Sequence, residues 1–182
     1  QGFLLNRRWD ELKRGRLQGM FPMQELEGTH FLMGLSLLET MQRKAEDPDS
    51  GLGVMCRKQD LMRMGREQVE RWWDVLAEGY AEAAKFMSEQ GIIAERILPY
   101  TTMIVPLAAA LAYLRWRKGP AHVGPAWKKI SQWYWCSVFT TRYSSQVDYS
   151  SAQDFEQLLR EVDCADEPDV VRTFNFPSDT LH

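Results

Sequence analysis

The sequence predicts an all-α domain, an irregular bundle of about six or seven helices around a central, proline-kinked apolar helix. Three observations carry that expectation. Apolar residues recur at steps of three and four nearly everywhere, and strand-like alternation is almost absent. The stretch "ILPYTTMIVPLAAALAYL", Ile97 to Leu114, runs for eighteen residues without a charge. Composition is that of a globular domain, with 45% apolar and 26% charged residues in a chain of 182.

The elements follow in order. A short basic helix is expected from about Leu4 to Leu17, with Arg7, Arg8, Lys13, Arg14 and Arg16 around Trp9 and Leu12. Gly19 and Pro22 break it. A longer helix is predicted from about Met23 to Lys44, since Leu26, His30, Phe31, Gly34, Leu35, Leu38 and Met41 share one face. "EDPDSG", Glu46 to Gly51, reads as a loop, and "VMCRKQDLMRM" as another short helix. From Arg66 to Gln90, the residues Val69, Trp72, Trp73, Leu76, Tyr80, Ala83, Ala84 and Met87 make a continuous stripe. Gly91 then stands where a helix ends on a left-handed residue.

The uncharged run comes next. Pro99 is expected in its first turn, where a missing N–H costs nothing, and Pro106 inside it, with a kink near Thr102 to Pro106. A membrane span needs about 17–25 apolar residues, so length alone allows one. Thr101, Thr102 and the two prolines weaken that reading, and there is no second run of this length. The following helix, Ala126 to about Tyr143, carries Trp127, Trp133, Tyr134, Trp135 and Phe139, which need a large apolar partner in the same fold. The run is therefore predicted to be a core helix, with no membrane as partner. Trp133 and Trp135, two apart, cannot share a face, so their helix is expected to be contacted on two sides. "SSAQDFEQLLREV" reads as a last helix capped by Ser150 or Ser151. From Cys164 to His182 no period remains. This divides the chain into N-terminal helices over 1–50, a helical core over 51–163 and a tail over 164–182. With Gln1 in place of an initiator Met, it reads as a piece of a longer protein.

Chemistry is sparse. Cys56, Cys136 and Cys164 lie far apart with no C-x-x-C, and His30, His122 and His182 do not fall at metal-ligand spacing. With no leader sequence at the front, these thiols point to a reducing, cytoplasmic compartment. His30 sits on an apolar helix face and reads as a satisfied core histidine. Cys136 sits among aromatics, where a thiol is inert. Asp163, Asp166 and Glu167 belong to an acidic tail, and Asp47 and Asp49 are too few for a calcium loop. No phosphate-cradling glycine loop occurs. No catalytic residue, metal ligand set or cofactor is expected; an unrecognised hydrolase would have to use Cys136 or His122.

The polar set that stands out is basic. Arg115, Arg117 and Lys118 end the central helix, Lys128 and Lys129 begin the next, and Arg142 closes it. Cations at a helix C-terminus complement the dipole, which explains part of the set without a ligand. The other reading is a phosphate-contacting edge on two antiparallel helices, with DNA as the partner, although the net charge of −3 excludes a strongly basic domain. Arg142 has two readings, a pair with a core acid or a contact to phosphate.

Two motifs carry a resemblance. "GIIAERILPYTTMIVPLA", with Leu98, Pro99 and Tyr100, and "ISQWYWCSVFTTRYSSQVDYSSAQDF", with Trp133, Trp135, Arg142 and Tyr143, resemble the helical part of GmrSD-type restriction proteins. The long helix with Trp72 and Trp73 fits as well, and the likeness covers about Gly51 to Glu161 closely and the first fifty residues loosely. It implies a restriction, phage-defence setting, with a ParB-like nucleotidase domain carrying D-G-Q-Q-R before this region and, in many members, an HNH nuclease domain after it. Neither motif occurs here, so no catalytic residue carries over. What carries over is a helical scaffold that engages DNA. The alternative is a purely structural domain docking the ParB-like domain.

Overall fold

From Leu98 onward the uncharged run takes three conformations in turn. Leu98 to Tyr100 is an extended link, Thr101–Met103 is a single 3-10 turn, and a helix begins only at Ile104. The computed structural model describes residues 2–92, 98–120 and 123–163. Among them are seven α-helices and no strand: α1 Gly2–Arg14, α2 Gly28–Glu46, α3 Lys58–Arg63, α4 Arg66–Glu89, α5 Ile104–Lys118, α6 Val123–Phe139 and α7 Val147–Asp163. The expected all-α bundle is present. The expected tail, 164–182, lies outside the described residues.

The centre of the bundle is α5. Every residue from Ile104 to Leu114 is buried, because α2, α4, α6 and α7 all pack against it. A helix enclosed on all sides can be apolar on all sides, which is why it carries no charge until Arg115. Among the described residues no helix is long and apolar enough to cross a membrane. The hydrogen-bond break expected at Pro106 does not occur. This proline is the third residue of α5, in the turn whose N–H groups have no intrahelical acceptor, so no hydrogen bond is lost. Thr101–Met103 forms a 3-10 turn ahead of it, and Pro99 lies outside the helix altogether.

The longest helix, α4, lies closest to it. Its predicted stripe is buried throughout, from Val69 to Met87. Gly79 explains the close approach: a Cβ there would stand 2.2 Å from the Ala108 carbonyl oxygen and 2.6 Å from the Ala112 Cβ. The helix stops as expected. Gly91 adopts φ 75°, and Ile92 N–H donates to the Met87 carbonyl oxygen at 2.9 Å across it.

Two helix starts differ from expectation. Met23–Glu25 is a 3-10 turn, and α2 begins at Gly28, where the Glu27 N–H donates to His30 Nδ1 at 3.0 Å. α7 begins three residues before Ser150: Gln146 turns the chain at φ 51°, and Ser150 N–H donates to its carbonyl oxygen at 3.0 Å. Ser150 and Ser151 are thus buried inside the helix and do not cap it. α2 packs against α4, α5 and α7, and one apolar core runs from Trp9 to Leu159, so it crosses residue 50 without a break. α6 is contacted on two sides, though unequally: Trp133 is fully buried and Trp135 half-buried against the core.

Candidate nucleic-acid interface

Partners sort the cations of the chain. The basic residues of α1 and the turn after it are engaged: Arg7 pairs with Glu11 at 3.0 Å, Arg8 with Glu70 at 3.0 Å, and Arg16, beyond the helix end, with Glu78. Lys13 donates to the Leu26 carbonyl oxygen and stands over the Trp9 ring. On α5, Arg115 turns toward α4, donating to Glu82 Oε1 at 2.9 Å and reaching Glu78 Oε2 at 3.8 Å. Both acids lie one turn apart on α4, so Arg115 is spent on holding two helices together.

Arg142 takes the core-acid reading. Its Nε donates to both Asp154 oxygens, at 2.8 and 3.0 Å, and its Nη2 lies 2.6 Å from Asp154 Oδ1 and 2.8 Å from Gln153 Oε1. Tyr143 OH donates to Asp154 Oδ2 at 2.7 Å. Asp154 is fully buried, so its charge has left water and is matched by these donors. Burial, together with the neighbouring Asp154 charge, pushes the Tyr143 phenol well above its ordinary value. The local backbone makes this grip. After α6, Thr141 sits at φ 52° and Arg142 N–H donates to the Ser137 carbonyl oxygen, a Schellman ending with threonine where glycine is usual. The turn delivers Arg142 and Tyr143 together onto α7.

Arg117 and Lys118 lie on another side of the bundle. They leave α5 on the side of α7 and, with Arg160, line an open groove of about 190 Å3. Its floor is apolar, formed by Met41 and Ala45 of α2, Tyr113 and Leu114 of α5, and Leu159 of α7. Among the described residues, no carboxylate lines it. The Arg117 guanidinium stands 5.8 Å from the Tyr113 ring centre, and its Nη1 reaches the Tyr113 hydroxyl at 3.4 Å. Arg160 makes a long ion pair, 3.9 Å, with Glu156, whose other oxygen takes Lys44. The α5 C-terminus carries roughly half a negative charge from its dipole, so two cations there exceed what the dipole balances. Lys128 and Lys129, on α6, do not line this groove. The groove draws its cations from the ends of α5 and α7, and Arg115, which was expected with them, is held by α4. Arg160 was missed because it follows an apolar face in sequence, and only the packing of α7 on α5 reveals its neighbours.

The remaining candidates carry little chemistry. His30 is satisfied but stands at a helix start: Nδ1 accepts from Glu27, and burial lowers its pKa. The Cys56 thiol donates to the Asp148 carbonyl oxygen at 3.3 Å, and burial pushes it up to about 12. A thiol so placed is no nucleophile at neutral pH. Cys136 is half-buried on α6. His122, Cys164, Asp166, Glu167 and His182 lie outside the described residues, and no metal-holding cluster occurs among the described ones.

The motif residues are mostly structural. Leu98 and Trp133 are buried, Tyr100 is half-buried and Pro99 is exposed. The Trp135 indole donates to Gln90 Oε1 at 3.2 Å, which also accepts from the Ser131 hydroxyl at 2.7 Å, tying α6 to the end of α4. The chain matches no family model, no curated protein and no solved structure.

Proposed function

We propose that this chain is a non-catalytic helical scaffold of a GmrSD-like restriction protein in the cytoplasm, and that it engages DNA phosphate through the groove of Arg117, Lys118 and Arg160. The observation that carries the DNA part is the groove itself, three cations on an apolar floor without a lining acid. The scaffold part is supported by the motif residues, since Leu98, Trp133 and Tyr143 are buried in the core and Asp154 anchors the RY pair. A nucleotidase domain before this region and an HNH domain after it would supply the chemistry. Arg115 and Arg142 drop out as phosphate contacts because a carboxylate holds each at 2.9 and 2.6 Å, whereas Arg160 stands 3.9 Å from Glu156.

The test is duplex binding across a salt series. Three phosphate contacts give a slope of about −2.7 in log K against log salt. Lys118→Glu with Arg160→Glu should weaken binding to all sequences alike and flatten the slope by about two. Lys128→Glu with Lys129→Glu reports whether the contact extends over α6. Undetectable binding of both duplex and single strand at low salt rejects the DNA reading. The docking alternative would then stand on a different feature: Leu52 and Met62 are 50% and 79% exposed beside the half-exposed Met55, an apolar surface near α3 suited to another domain.

A further inference from the structure

Trp116 is 47% exposed, although tryptophan is among the most costly side chains to leave in water. It is held firmly. Its ring meets the edge of Trp72 at 5.0 Å and lies 5.7 Å from Tyr113. The same Tyr113 ring carries the Arg117 guanidinium at 5.8 Å. Tyr113, Trp116 and Arg117 stand at i, i+3 and i+4 on α5, so the exposed indole and the first cation of the groove flank one ring. An aromatic surface beside a line of cations is the arrangement that holds an unpaired base while its phosphates follow the charges. A duplex keeps its bases stacked on each other and offers such an indole nothing.

Resting on the groove as a phosphate site, we infer that this surface takes single-stranded nucleic acid, with one unpaired base stacked on Trp116 and the adjoining phosphates on Arg117, Lys118 and Arg160. Trp72 and Tyr113 fix the indole before binding, so little freedom is lost when a base lands on it. Every base has a π-face, so the preference for sequence is weak while the preference for an unpaired strand is strong.

The experiment measures fluorescence anisotropy with an oligothymidylate of about 12 nucleotides, a site size within the usual range, and with a duplex of equal length, at low salt. The single strand should bind more tightly than the duplex. Trp116→Leu should weaken single-strand binding roughly 5- to 150-fold, the span of base–aromatic stacking, and leave duplex binding unchanged. Trp116→Phe keeps a π-face, and should retain most of the affinity; it also serves if the leucine variant fails to fold. Lys118→Glu with Arg160→Glu should weaken both forms. Equal affinity for both forms, or a leucine variant equal to the phenylalanine variant, overturns the stacking inference and leaves the phosphate groove intact. Binding of neither form overturns the groove and the stacking together.

Discussion

Replacing Arg142 by methionine tests whether the RY pair is structural. The substitution removes three contacts to Asp154, at 2.6, 2.8 and 3.0 Å, and leaves the carboxylate with the Tyr143 hydroxyl at 2.7 Å. Asp154 has no exposed surface, so water cannot replace the lost donors. Breaking a buried pair on one side costs about 3–5 kcal/mol. The Arg142 side chain is itself 23% exposed, which places the expected cost at the lower end. In a chain of 182 residues each kcal/mol moves Tm by about 2–4 °C, so Arg142→Met should lower Tm by roughly 6–12 °C. Circular dichroism at 222 nm follows the melt of this helical protein. Adding Asp154→Asn removes the stranded charge and should restore a good part of the loss. DNA binding of the folded variant should match the parent, because Arg142 lies outside the groove. A melt unchanged within about 2 °C, or a double variant no better than the single one, would refute the account.

Four other outcomes follow from the same structure. Gly79→Ala raises helix propensity yet should destabilise by about 1–3 kcal/mol or more, since its Cβ would stand 2.2 Å from a backbone oxygen; urea melts decide. Thr141→Gly should stabilise by roughly 1 kcal/mol, because φ 52° suits glycine; an unchanged or lower urea midpoint contradicts this. Cys56 has a folded pKa of about 12 against an ordinary 9.0, so its contribution is full below pH 9 and is lost as pH rises toward 12. Cys56→Ala should therefore soften the alkaline loss of stability over that window. His30 has a lowered folded pKa, so its contribution holds above about pH 6.5 and is lost as pH falls through the folded value. His30→Gln should flatten that acid limb.

The helices were legible because burial repeats with the helical period. The α4 stripe, the glycine that ends α4 and the buried character of α5 all follow from residue spacing. The starts of elements were less so. Pro106 reads as a kink when the helix is drawn from Pro99, and as an ordinary first-turn residue once Thr101–Met103 forms a 3-10 turn. Nothing local separates these, because Leu98 to Met103 is uncharged and fits either conformation. Ser150 and Ser151 make good caps in isolation, but the Arg142–Asp154 pair and the left-handed Gln146 set the register of α7 instead.

Charge was the least legible quantity, and the reason is physical. A cation at a helix end is favoured by the dipole whatever it later meets, so Arg115 and Arg117 look equivalent in sequence. Two residues apart, they differ by about 200° around the helix. That rotation sends Arg115 to Glu78 and Glu82 of α4 and Arg117 to the groove beside α7. Three other acids of the chain, Glu11, Glu70 and Asp154, take Arg7, Arg8 and Arg142 in the same way. A chain with an acidic excess can therefore still gather cations at one place, as Arg117, Lys118 and Arg160 do along the groove. The field at the groove depends on which carboxylates are already committed, and net charge carries no information about that.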